Sequence, residues 1–292
     1  MSGHLILSHE SPMKSRQPRS MLFVSGEKVE RFAKAMAAGA DLVCIDLEDA
    51  VHPDRKAEAR AQVLGWLKDT TRPIDGTGVA IRVNSLRTLD GPRDVLAFVA
   101  SGVKVDWLLL PKAEHASDVQ TIEAWCGAQV GAITALVETP VGIENLASLA
   151  RAGGKLGALM LGGADLSAEL DAQFTWDGLL SARGRLVNAA KSTGLQAWDV
   201  PNVDLSSDDN LATETRRAVA LGFGCKTAIH PQQIATIHAA FRPTPAEVEW
   251  ATVLLEAVPE GQGSGAFLFQ GKMVDAPLLK KARRIAELAR AA

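Results

Sequence analysis

At 292 residues, 47% hydrophobic and 22% charged, the chain is long enough to bury one large core, either a single α/β barrel with an appendage or two smaller domains. A formal net charge of -3 supplies no global basic field, which argues against nucleic-acid binding by charge alone. No stretch of about 18 apolar residues occurs, so no membrane span is expected.

In chain order, "MSGHLILSHESPMKSRQPRS" has no basic run ahead of its short apolar stretch, so it reads as a loose arm over residues 1–18 rather than a signal peptide. From Ser20 a simple unit repeats: a short apolar run, a turn signal, then a helical pattern. The strand-type runs are "SMLFVSG" (20–26), "DLVCIDLED" (41–49), "VAIRVNS" (79–85), "VDWLLLPK" (105–112), "ITALVET" (133–139), "LGALMLGGADLS" (156–167), "LQAWDVPN" (195–202) and "CKTAIHP" (225–231). Helical patterns follow each, including 27–40, 140–154, 177–193, 208–222 and 231–241. Apolar runs joined by helices imply parallel strands covered on both faces, and eight such units imply a closed (β/α)8 TIM barrel over 19–243. An open dinucleotide-binding sheet would want GxGxxG after its first strand, where only "SGEK" stands.

Past Phe241 the repeat stops. Thr244 followed by Pro245 is a strong helix start for 244–258, and the Gly-rich "PEGQGSG", a hairpin-like run and a closing helix from Pro277 complete an extension over 244–292. Its glycines suit either a lid hinge or a tail tether. The closing "LKKARRIAELARAA" is basic and amphipathic, a pattern of a solvated face or subunit contact. Trp107, Trp125 and Trp250 fall in periodic segments and read as packing residues, and His52 before Pro53 reads as a turn residue. Cys44, Cys126 and Cys225 are far apart among apolar residues, without metal spacing; they read as reduced core thiols of a cytoplasmic protein.

Barrel enzymes place their chemistry at the carboxyl ends of the strands. There the second strand delivers Asp46, Glu48 and Asp49, the third Arg82 and Asn84, the fourth Lys112, the fifth Glu138, the sixth Asp165, the seventh Asp199 and the eighth His230. Each alone has an ordinary explanation as a cap or turn residue, but a ring of converging charge needs counterions. Glu138 and Asp165, from adjacent strands, offer two hard oxygen ligands of the kind Mg2+ takes together with waters and a chelating substrate, and the absence of a His pair lowers the case for zinc. Arg82 then provides a fork for a substrate carboxylate, with the crowded acids of "DLEDAV" holding it or metal-bound water.

"RSMLFVSG", "DLVCIDLEDAV" with "RKAEAR", "IRVN", "LLLPKAE", "VETPVGIEN", "LMLGGADLS", "LGFGCKTAIHPQQI" and "FQGKMVDAP" occur in an order that resembles the HpcH/HpaI aldolase and citrate lyase β-subunit family, in its CitE-like acyl-CoA lyase branch. The resemblance runs from about residue 19 to the end. It implies a TIM barrel, a homotrimer or a hexamer of trimers, Mg2+ (with Mn2+ as a substitute), and reversible carbon–carbon cleavage of a 3-hydroxyacyl-CoA thioester. It implies Glu138 and Asp165 as metal ligands and Arg82 as the binder of the acid's carboxylate. Phe23, Val24 and Lys34 match positions that contact the CoA arm, and Ile229 and His230 match a further edge of the substrate site. Asp275 of "GKMVD" matches a lid aspartate that works in a neighbouring subunit's site as the acid or base. Glu48 and Asp49 join Arg82 and Asp275 among the candidate catalytic groups.

One departure is visible: Ser25 stands where the family usually has Pro, which should loosen that turn at the CoA approach. Rival expectations are a citrate lyase β-subunit working with carrier-protein and transferase subunits on a carrier-bound thioester, and a free-acid class II aldolase releasing pyruvate. No nucleic-acid or membrane partner is expected.

Overall fold

A computed structural model describes residues 17–70, 76–258 and 266–290; most of the 1–18 arm and the "PEGQGSG" stretch lie outside the described residues. The chain divides into two compact units between Ile237 and His238, ahead of the Thr244 boundary read from the sequence.

The first unit is a closed parallel barrel of β1 (Ser20–Ser25), β2 (Leu42–Asp46), β3 (Gly78–Arg82), β4 (Val105–Leu110), β5 (Val130–Val137), β6 (Leu156–Leu161), β7 (Gln196–Asp199) and β8 (Cys225–Ala228), with β8 paired back to β1. The (β/α)8 expectation holds. Because successive strand residues point to opposite faces, one set fills the barrel and the other meets the helices. Met21, Leu42, Cys44, Ala80, Leu109, Leu136, Ala158, Met160, Trp198 and Cys225 form the inner core, with Phe23 and Trp107 packed against it. The Trp107 and Trp198 rings lie 4.8 Å apart. All five residues of β2 are buried, as a strand covered on both faces must be.

The outer layer contains α1 (Phe32–Met36), α2 (Lys56–Asp69), α3 (Asp90–Ser101), α4 (Ala116–Cys126), α5 (Pro140–Glu144), α6 (Leu146–Leu149), α7 (Gly163–Glu169), α8 (Leu180–Ser192), α9 (Asp208–Leu221) and α10 (Gln233–Phe241), the last spanning the division between units. Three of these differ from the sequence reading. The helix after β1 is only five residues long, behind a 3-10 turn at Val29–Arg31. The pattern at 140–154 breaks in two at Asn145, whose side chain leaves the helix surface to donate to the Glu114 carbonyl and meet His115 Nδ1. "GGADLS" does not prolong β6: the strand ends at Leu161 and Asp165 sits in the first turn of α7. Trp125, expected to pack, is 48% exposed on α4. His52 is the turn residue expected, its Nδ1 accepting from the Asp54 N–H.

The second unit holds α11 (Pro245–Glu256), an antiparallel hairpin of β9 (Phe267–Phe269) and β10 (Lys272–Val274), and α12 (Ala276–Arg290). Thr244 and Glu247 form a reciprocal capping box with Pro245 at the first helical position. Ala251, Leu254, Val274, Leu279, Ala282 and Ile285 make its core, so the apolar stripe of α12 is used within the unit. No helix among the described residues is long and apolar enough to cross a membrane.

Candidate active site

The last residues of β2 and β3, Asp46 and Arg82, are register partners, so their side chains leave neighbouring strands at one level. Arg82 donates from Nε to Asp46 Oδ1 at 2.7 Å and from Nη2 to Oδ2 at 2.6 Å, a bidentate pair. The turn after β2 wraps the same carboxylate: the N–H groups of Glu48 and Ala50 donate to its two oxygens at 2.8 and 3.0 Å. Burial alone would raise the Asp46 carboxyl, but Arg82's charge and these bonds outweigh it and hold it below its ordinary value. The guanidinium lies 5.1 Å from the centre of the Phe23 ring. Its remaining nitrogen, Nη1, faces Glu48 Oε2 at 3.0 Å and Asp49 Oδ2 at 3.2 Å. The crowded acids of "DLEDAV" therefore surround one cation.

Glu48 is 6% exposed, and its Oε2, close to Arg82 but out of line with an N–H, accepts no hydrogen bond among the described residues. Burial pushes its carboxyl up to about 8; Arg82 opposes the rise, while Glu138, Asp49 and Asp46 add to it. Lys56, from the "RKAEAR" stretch, donates to the carbonyls of Leu47 and Glu48 and holds this turn to the start of α2.

The other half of the site is built on β4, β5 and α7. Glu138, one residue past β5, is buried, and its Oε1 accepts the Lys112 N–H at 2.9 Å. Lys112 has a left-handed backbone with φ 51, and Arg87 donates to its carbonyl while pairing with Glu114 at 2.8 Å and Asp118 at 3.3 Å. The Lys112 ammonium reaches Asp165 Oδ2 at 2.7 Å. Burial raises the Glu138 carboxyl to about 7, against Arg82 and with the help of Asp165's charge. Gly162 is required beside it: a Cβ there would stand 2.3 Å from Glu138 Oε2.

These residues fit a hard divalent cation. Lys112 takes one oxygen of Glu138 and one of Asp165, leaving each a second oxygen, and five carboxylates (Asp46, Glu48, Asp49, Glu138, Asp165) face two cations. Among the described residues no three His, Cys, Asp or Glu side chains form a cation cage of their own.

Other expected residues fall elsewhere. Val24 is buried on the face of β1 opposite Phe23, so its side chain meets the helix layer. Lys34 is exposed on α1. Ile229 is 41% exposed and His230 is exposed, with both N–H groups donating to Gln233 Oε1; His230 Nδ1 accepts from the Gln232 N–H. Asn84 braces the scaffold, donating to the Leu47 carbonyl and to Asp94. Asp199 follows the inward Trp198 and therefore points outward, where it is buried with Arg183 at 2.9 Å and Lys226 at 2.8 Å. It does not join the strand-end ring. Asp275 caps α12 in the second unit, exposed, its Oδ1 accepting from the Leu278 N–H at 3.3 Å. Ser25 does not loosen its turn: its hydroxyl donates to the Ala50 carbonyl at 2.5 Å and accepts the Glu27 N–H at 3.2 Å, tying the β1 and β2 loops together. Arg87 and Gly162 escaped the sequence reading because each acts through a contact distant along the chain.

A closed (β/α)8 barrel with a pinned guanidinium beside lysine-bridged carboxylates defines the class as an α/β-barrel enzyme with an acidic centre at the strand ends. The chain belongs to the HpcH/HpaI aldolase/citrate lyase family, whose profile matches residues 19–231. It is 33% identical to mitochondrial citramalyl-CoA lyase of Rattus norvegicus, over 93% of this chain and 86% of that protein. It is 34% identical to citrate lyase subunit beta of Escherichia coli K12, over 93% of each. Among solved structures, CitE of Mycobacterium tuberculosis in complex with magnesium, acetoacetate and coenzyme A superposes with a TM-score of 0.80 at 34% identity, covering 93% of this chain and 98% of that one.

Proposed function

We propose that this protein is a Mg2+-dependent carbon–carbon lyase that cleaves, or in reverse forms, a 3-hydroxyacyl-CoA such as citramalyl-, malyl- or citryl-CoA, yielding acetyl-CoA and a keto acid. The observation that carries the proposal is the pairing of a fixed guanidinium, Arg82 on Asp46, with the Lys112-bridged carboxylates Glu138 and Asp165. The named relatives, lyases of CoA thioesters and of citrate, support it.

Glu138 and Asp165 would hold Mg2+, which would supply Lewis acidity to the reaction. Arg82 binds the substrate's carboxylate through Nη1, which Glu48 and Asp49 share without substrate, and Asp46 keeps the fork from turning. Glu48, buried beside Arg82 with one carboxyl oxygen accepting no hydrogen bond, takes the substrate's hydroxyl proton. As that proton leaves, the C–C bond breaks, its electron pair passes to the thioester as an enolate, and the oxygen becomes the keto group. Asp275 of a neighbouring subunit protonates the acetyl carbon, or removes its proton in the reverse direction. Phe23 and Lys34 contact the CoA arm, and Ile229 and His230 form a further edge of the substrate site. The assembly is a homotrimer or hexamer, and the three free, buried cysteines suit a reducing cytoplasm.

Mass-spectrometric assay of the purified protein with Mg2+ against the three thioesters, with and without EDTA, tests this. EDTA-sensitive release of acetyl-CoA from one of them is expected. Turnover only of a carrier-protein thioester would favour a citrate lyase β-subunit, a reading supported by the E. coli relative, and EDTA-sensitive cleavage of free hydroxy acids alone would make it a class II aldolase.

A further inference from the structure

Lys112 touches both carboxylates of the pair, by two different groups. Its N–H donates to Glu138 from a backbone in the left-handed region, a conformation costly for a side-chain-bearing residue and braced here by Arg87 on the Lys112 carbonyl. That half of the contact belongs to the main chain. The ammonium, by contrast, rides on a flexible four-carbon stem, and its pairing with Asp165 is about one-third exposed on each side (34% and 35%). It can leave without disturbing the backbone that holds Glu138.

Building on the metal reading above, we propose that the Lys112 ammonium is a placeholder cation, neutralising Asp165 until a divalent ion bound by Glu138 and Asp165 displaces it. An ion coordinated by Asp165 lies within a few ångströms of any group hydrogen-bonded to the same carboxylate. At that range repulsion between a single and a double positive charge exceeds the return from one partly exposed hydrogen bond. Glu138 stays in place because its partner is the main chain. Lys112 thus divides two tasks: the backbone positions one ligand, and the side chain yields the other.

The test measures Mg2+ affinity by titration calorimetry of full-length protein as wild type, Lys112→Met and Lys112→Arg. Removing the competing charge should tighten Mg2+ binding by about tenfold, while Lys112→Arg, which keeps the charge, should stay within about threefold of wild type. Equal or weaker binding by Lys112→Met overturns the inference and makes Lys112 an orienting group only. A second measurement uses the wild type alone, so that a folding failure of the variant leaves the question decidable. Acylation of Lys112 by an amine-reactive reagent, read by peptide mass spectrometry, should rise when saturating Mg2+ is added; unchanged labelling overturns the displacement. Absence of Mg2+ binding by the wild type would sink the metal reading itself, and this inference with it.

Discussion

One guanidinium answers three carboxylates at Arg82, and the geometry shows which is favoured. Asp46 receives both parallel hydrogen bonds, while Glu48 and Asp49 share the remaining nitrogen. A lysine cannot reproduce that fork, so Arg82→Lys should lower kcat/KM by at least about 100-fold and, by leaving Asp46 poorly paired, destabilise the fold by roughly 2 to 4 kcal/mol; steady-state kinetics and urea unfolding check both. Glu48 makes a separate prediction. Its carboxyl is raised from 4.5 to about 8 on folding, so between those values the native state binds more protons than the unfolded chain and stability falls as pH rises. Glu48→Gln, which carries no such charge, should flatten this decline in unfolding experiments run in EDTA. A slope unchanged by the substitution would show that Glu48 is not the group responsible. The sequence displayed these acids and the arginine plainly; it did not show which acid holds the guanidinium, because that follows from strand register.

Gly162 and the β7–β8 pair make their predictions at the level of the element. The step from β6 into α7 brings Gly162 against Glu138, so Gly162→Ala must push that carboxylate away and should weaken Mg2+ binding by about 10-fold or more, measurable by calorimetry. Lys226 and Asp199 lie outside the strand ring, in the layer between barrel and helices, with Arg183 and Glu214. Lys226→Met leaves a buried carboxylate short of one partner and should cost about 3 kcal/mol in unfolding free energy while kcat stays near wild type, a split that a catalytic Asp199 would not allow. The error in placing Asp199 at the site has a simple origin. An apolar run marks a strand, but only its closure against both neighbours sets which residues face inward.

For the molecule as a whole, the decisive prediction concerns two chains. If Asp275 serves a neighbour's site, Asp275→Asn and Glu138→Gln proteins are each inactive alone, yet mixed oligomers formed by co-expression regain part of the activity, since some sites combine an intact Glu138 with an intact Asp275. Mixed oligomers as inactive as their parents would remove Asp275 from that role. Size and composition of the oligomers, by native mass spectrometry, accompany the assay.

The eight barrel strands begin within three residues of where the hydrophobic pattern puts them, and Thr244–Pro245 starts its helix as read. Such features were legible because they are local: side-chain periodicity, caps and turn residues act over a few positions. The ordered motifs were likewise enough to recognise the family. Folding decided the rest. Asp165 stands on a helix rather than a strand end, Asp199 faces outward, Ser25 ties two loops, and Lys112 reaches Asp165 across 53 positions of chain. Each depends on barrel closure and strand parity, which bring distant segments to one level and leave no trace in the residues beside them.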